Sequence, residues 1–157
     1  MEVGIDLERR KALKAGGGVG LLAFLAAAGL LNPGMAGAAA QKAAFEAKTM
    51  NDALDALGVA IPEDSAAILL TAPEVAANGA VVPVTVESSL ALTEQIFILA
   101  DKNPTMLVAS FTFPPGTDGY ISTKIKMAQT SSVIALVKAN GKFYRASRVV
   151  EVTAGGC

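Results

Sequence analysis

Ser132-Val133-Ile134-Ala135-Leu136-Val137-Lys138-Ala139, then Asn140-Gly141, then Lys142-Phe143-Tyr144-Arg145-Ala146-Ser147-Arg148-Val149-Val150-Glu151-Val152-Thr153 reads as two strands and the turn that joins them. The first segment is rich in residues that fit a pleated sheet. Asn-Gly supplies two residues that tolerate positive φ, which a two-residue hairpin turn demands. The second segment runs back as the last strand of the chain.

Upstream, the same texture repeats. Ile68–Thr71, Ala80–Ser88, Gln95–Ala100, Met106–Phe113 and Tyr120–Met127 are five further candidate strands. Ala77-Asn78-Gly79, Asp101-Lys102-Asn103-Pro104 and Pro114-Pro115-Gly116 separate them as turns. Within Ala80–Ser88 the residues Val82, Val84 and Val86 share one face. Pro83 has no N–H to donate, which predicts an edge position or a bulge there. Seven short strands at intervals of about ten residues predict an all-β fold, an immunoglobulin-like antiparallel β-sandwich. No Cys…Trp…Cys spacing is present, so it is not an antibody-type domain. Ahead of the strands, Phe45, Met50, Ala53, Leu54 and Leu57 recur at helical spacing over residues 41–57. Asp52 suits a first helical turn, and Gly58 is a natural stop. A short N-terminal helix therefore precedes the sandwich.

The N-terminus has a different character. Glu8-Arg9-Arg10-Lys11-Ala12-Leu13-Lys14 is followed by an apolar, glycine-bearing run to Leu31 and a small-residue tract, Ala36 to Ala40. Charged start, apolar middle and small-residue end make a secretory signal. Arg9 and Arg10 point to the twin-arginine route and hence to the periplasm. Residues 1–38 are assigned to this leader, with cleavage after Ala38 or Ala40, and no stable membrane anchor is expected. The helix and sandwich then occupy 39–153, and residues 154–157 form a flexible arm.

Composition narrows the chemistry. Among 157 residues there is no histidine and one cysteine, and the formal net charge is -1. That removes Ser-His-Asp and Cys-His nucleophile pairs. It also removes multi-cysteine zinc and iron–sulfur sites, so no metal is expected. Nucleic acid, which calls for clustered Lys and Arg, is not an expected partner.

The chemistry then falls to the tail, Val152-Thr153-Ala154-Gly155-Gly156-Cys157. Ala154, Gly155 and Gly156 make the arm, with a thiol at its tip. Five extended residues reach roughly 17 Å. A soft nucleophile so placed suits an attached intermediate that visits several active sites. It suits a fixed site poorly, because nothing beside it in sequence would activate or orient it. Asp101 and Asp118 read as solvated turn acids. Lys124, Lys126, Lys138, Lys142, Arg145 and Arg148 read as a solvated sheet face, with a docking surface for an acidic partner or an anionic sulfur group as the alternative, and Tyr120 and Tyr144 read as packing residues.

Several stretches carry a resemblance to a known family. They are Leu70-Thr71-Ala72-Pro73-Glu74, Asn78-Gly79-Ala80-Val81-Val82-Pro83-Val84, Ser122-Thr123-Lys124-Ile125-Lys126-Met127-Ala128-Gln129-Thr130-Ser131 and Ala135-Leu136-Val137-Lys138-Ala139-Asn140-Gly141-Lys142-Phe143, with the ending Gly155-Gly156-Cys157. In these the chain resembles the SoxY family, sulfur carrier subunits of the periplasmic thiosulfate-oxidising (Sox) system. The family's usual ending continues Gly-Gly-Cys-Gly-Gly, from which this sequence departs after Cys157.

The resemblance implies a carrier that is not itself an enzyme but a covalent substrate of partner enzymes. Thiosulfate-derived sulfur would ride on Cys157 as thiosulfonate and persulfide adducts, with no other cofactor. The implied partners are a SoxZ-like sandwich subunit forming a heterodimer, a c-type cytochrome, a manganese hydrolase and a sulfur dehydrogenase. The alternative is a periplasmic immunoglobulin-like binding or chaperone-like protein acting by surface contacts, with Cys157 used only for an intermolecular disulfide.

Overall fold

The computed structural model describes residues 33–156, with side chains from Gly37 onward. Most of the leader, Arg9 and Arg10 included, and Cys157 lie outside the described residues. The chain divides into an N-terminal unit, residues 1–39, described from Pro33 as the start of a helix, and a main unit, residues 40–157. Among the described residues no helix is long and apolar enough to cross a membrane.

Helix α1 runs Pro33–Glu46 and α2 runs Met50–Ala56. The sequence reads residues 41–57 as one helix; the structure breaks it at 47–49. Thr49 supplies the reason. Its backbone is extended and its Oγ1 accepts a hydrogen bond from the Asp52 N–H at 3.1 Å, starting α2 afresh. The Ala47 carbonyl accepts instead from the Met106 N–H in a distant loop. Gly58, at φ +72°, stops α2 as expected.

Nine strands follow: β1 Glu63–Asp64, β2 Ile68–Thr71, β3 Val75–Ala76, β4 Val82–Ser88, β5 Thr93–Ala100, β6 Leu107–Thr112, β7 Gly119–Ile125, β8 Ser131–Ala139 and β9 Lys142–Val152. All seven candidates from the sequence are present. The two additions, β1 and β3, are two residues each and pair parallel with β9, so the fold is antiparallel in all but these pairings. The larger sheet has the order β1-β9-β8-β5-β6, with β3 also on β9; the smaller has the order β2-β4-β7.

The hairpin forms as its turn chemistry requires. Ala139 pairs with Lys142, and Asn140 and Gly141 stand at φ 49° and 72°. Pro83 proves to lie in the central strand of the smaller sheet, not at its edge. Its missing N–H is tolerated because β2 ends at the Thr71–Thr85 pair, so Pro83 faces a neighbour, Lys124, on one side only.

Between the sheets lies the main core. Val82, Val84 and Val86 from β4 meet Ile96 and Ile98 from β5 and Val133, Ala135 and Val137 from β8. Burying each such side chain contributes about 1.5–3 kcal/mol. A second cluster covers the opposite face of the larger sheet, where Ala44, Ala47, Ala53 and Val59 pack on Phe97, Leu99, Leu107 and Leu136. Residues 96–100 of β5 are therefore all buried, which is why that strand reads as a continuous apolar run without alternation.

Candidate functional site

The tail does not leave the body at Thr153. Strand β9 ends at Val152, but the chain continues along residues 74–79 with the same kind of backbone pairing. The Glu151 N–H donates to the Glu74 carbonyl at 2.8 Å, and the Thr153 N–H to the Ala76 carbonyl at 3.1 Å. The Gly79 N–H then donates to the Ala154 carbonyl at 2.7 Å. Thr153 adds its hydroxyl, which donates to the Ala77 carbonyl at 3.1 Å.

The segment after β7 closes the other side. The Val152 N–H donates to Thr130 Oγ1 at 2.9 Å, and the Gly156 N–H donates to the Met127 carbonyl at 3.0 Å. Residues 154–156, expected as a flexible arm, lie against the body, between the 76–80 and 126–130 segments. The glycines that suggested looseness serve close approach here. A Cβ on Gly155 would collide with the Ala128 carbonyl, and one on Gly156 with the backbone of Gly79 and Ala80.

Two residues that the sequence offers only as turn formers shape this place. Gly79 touches the tail from one side: a Cβ there would collide with the Met127 carbonyl and come within 2.9 Å of the Gly156 nitrogen. Asn103, in the turn after β5, is buried, and its side chain clamps the 126–128 backbone. Its Nδ2 donates to the Lys126 carbonyl at 2.7 Å and its Oδ1 accepts from the Ala128 N–H at 2.9 Å. The Asn-Gly and Asn-Pro pairs mark turns in sequence. Nothing local in either pair signals contact with the chain's end.

The remaining sequence candidates disperse. Asp101 and Asp118 are exposed at separate turns. Of the basic residues, Arg145 forms a pair with Asp64 at 2.8 Å, Lys138 with Glu94 at 3.3 Å and Arg148 with Glu74 at 3.5 Å. The two-pronged contact with Arg145 holds the Asp64 carboxyl below its ordinary range and raises the Arg145 guanidinium. Lys124 and Lys126 make no ion pair among the described residues and are exposed. Tyr120 is not a packing residue: β7 turns Ile121 and Ile125 inward, so strand alternation puts Tyr120 outside, 55% exposed. Tyr144 packs against the core.

An open cleft of about 550 Å³, lined by Ser88, Thr93, Phe113 and Gly119 among others, lies where β4 and β7 meet at Ser88–Gly119. The tail lies beyond their opposite end, Val82–Ile125. No group of three or more His, Cys, Asp or Glu among the described residues is arranged to hold a metal ion.

The sequence model of one protein family, described as sulfur oxidation protein SoxY, matches residues 54–157. Among solved structures, the sulfur carrier protein SoxY from Chlorobium limicola f thiosulfatophilum is 40% identical, with a TM-score of 0.61 over 67% of this chain and 96% of that one. A variant superoxide reductase (neelaredoxin) from Ignicoccus hospitalis is 16% identical, with a TM-score of 0.49 over 62% of this chain and 86% of its own. No curated protein matches the chain.

Proposed function

The chain belongs to the SoxY family of sulfur carrier proteins, and from that premise we propose that Cys157 is the residue on which the sulfur is carried. A carrier role in sulfur oxidation follows from the family; the chemistry of the attachment is what the resemblance to that family implies, placed on the one thiol this chain has. The observation that bears the assignment is that Cys157 is the chain's one cysteine. A covalent bond to sulfur needs a soft nucleophile, and a thiolate is the side chain that supplies it.

Loading joins the Cys157 thiolate to the outer sulfur of thiosulfate and forms a thiosulfonate. The new S–S bond requires the loss of two electrons, which a c-type cytochrome partner accepts. Hydrolysis of the terminal S–S bond by a manganese-dependent partner releases sulfate and leaves a persulfide on Cys157. A sulfur dehydrogenase then oxidises that sulfane sulfur. The chain supplies attachment and presentation, and its partners supply the catalysis. A second sandwich subunit of the SoxZ kind completes the carrier as a heterodimer. Export through Arg9 and Arg10 would put the work in the periplasm; replacement of both by lysine is then expected to leave the precursor in the cytoplasm.

Intact-mass measurement on protein from thiosulfate-grown cells tests the attachment. An adduct lost on reduction, and absent from Cys157→Ser protein, is the expected result. A thiol that stays unmodified throughout turnover would sink the assignment.

A further inference from the structure

Helix α1 runs through both bonds at which the leader is expected to be cut, Ala38–Ala39 and Ala40–Gln41. Both meet the small-residue rule, with Ala36 and Ala38 before the first and Ala38 and Ala40 before the second. A peptidase cannot act on a helix as it stands. The scissile carbonyl is engaged in the helical hydrogen-bond ladder, so the turn around it must open first. The choice between the bonds is decided by where α1 opens most easily.

The helix is not uniform along its length. Residues 37–39 are exposed, and nothing lies within 4 Å of where a Cβ on Gly37 would be. Gly37 also weakens its own turn, because glycine is a poor helix former. Burial begins at Ala40 and Gln41, which are both half-buried. It is complete at Ala44, which shares a cluster with Ala47 and with Phe97, Leu99, Leu107 and Leu136. The main unit of the chain likewise begins at Ala40.

Cutting after Ala38 therefore opens residues that touch little. Cutting after Ala40 lifts Ala40 and Gln41 from their contacts and pulls on the turn that holds Ala44. It would also leave residues 41–46 as the helix, fewer than two turns at about 3.6 residues per turn. The first cut leaves residues 39–46, more than two turns.

We propose that the leader is removed at the Ala38–Ala39 bond, and that the fold itself shields the Ala40–Gln41 bond. Water adds across the cut bond, leaving a carboxylate on Ala38 and a free α-amine on Ala39. Residues 39–46 stay behind as part of the cover on the larger sheet. The proposal rests on the reading of residues 1–38 as a twin-arginine leader. That route hands over cargo already folded, so the peptidase meets α1 in its packed state.

Intact mass and N-terminal sequencing of the exported protein read the cut. Ala39 is expected as the first residue, in at least about tenfold excess over Gln41, a ratio that ~1.4 kcal/mol in local opening supplies. Any other first residue, Gln41 above all, would overturn the proposal and keep the leader. A chain that stays whole would overturn both.

Two variants test the cause. Ala36→Leu spoils the first site alone and should still yield no chain that starts at Gln41. Prompt cutting there would show that the fold shields nothing. Ala44→Glu puts a charge where the helix packs, so chains that start at Gln41 should appear beside those that start at Ala39. Should that variant fail to fold or to cross, a synthetic peptide of residues 30–46, with no sheet to pack on, takes its place. Purified signal peptidase should cut the peptide at both bonds. A single cut after Ala38 in peptide and protein alike would assign the choice to local sequence and overturn the shield.

Discussion

Strand β9 has glycines at both ends, and they do different work. At its start, Gly141 stands at φ +72° with nothing within 4 Å of where a Cβ would be. Beyond its end, Gly155 and Gly156 have ordinary φ but no room for a Cβ. The first glycine answers a conformational demand and the second pair a demand for space. One residue type in sequence therefore stands for two physical causes, and only the turn leaves a local signature. Asn-Gly between two β-prone runs declares a hairpin by itself. Gly-Gly at a chain's end reads as freedom until the segments it touches are known.

The sharpest way to set the two ends apart is to remove the tail's chemistry and leave its backbone alone. Cys157→Ser should abolish thiosulfate-dependent activity while the melting temperature stays where it was. Both are measured on one preparation, by oxidation rate and by calorimetry. Retained activity would break the division of labour, since it would leave the tail end with no chemistry of its own.

Smaller than that loss are two of comparable size, of the clamp behind the tail and of the turn glycine. Asn103→Ala strands the Lys126 carbonyl and the Ala128 N–H without their partners. Both groups are part-buried, so water can replace some of what is lost and the cost stays at or below about 1 kcal/mol, the low end for an unsatisfied group. Chemical denaturation with an unchanged slope measures it. At the turn end, Gly141→Ala forces a side chain into the left-handed region at about 1–2 kcal/mol. It should lower the melting temperature by a few degrees and leave the mobility of a label on Cys157 untouched. A turn substitution that loosened the tail would show that the two ends are coupled through β9.

The sheet elements were legible because alternation, turn residues and β-branched runs are local. Val82, Val84 and Val86 declare their face by spacing alone. The hairpin at Asn140-Gly141 declares its register as well as its existence. What could not be read depends on distant partners. The break before Thr49 has a local cause in the Thr49 cap, but the Met106 N–H that takes up the Ala47 carbonyl comes from a distant loop. The added strands β1 and β3 are two residues each and exist only because β9 offers an edge. At the candidate site, Cys157 stood out through composition, as the one thiol in a chain without histidine. Asn103 and Gly79 did not, because their contacts lie 23 or more residues away in sequence.

The smallest effect sharpens the turn end alone. The Gly141 N–H donates to Glu94 Oε1 at 2.8 Å, and Lys138 lies 3.3 Å from Oε2. The hydrogen bond from Gly141 is the main cause that holds the Glu94 carboxyl below its ordinary range; burial opposes it, and Lys138 adds smaller lowering effects. A carboxylate with a depressed folded pKa adds stability above its unfolded pKa and loses it as pH falls through the folded one. Glu94→Gln keeps an acceptor for Gly141 but loses the charge. The variant should therefore melt slightly below the unsubstituted chain at neutral pH. The gap should begin to close as pH falls past the ordinary glutamate value of about 4.3. It should vanish below the depressed one, as the carboxyl takes up its proton and the two chains become alike at the turn. Melts taken across that range check it, and a gap that widened in acid would mean that the charge at Glu94 opposes the turn.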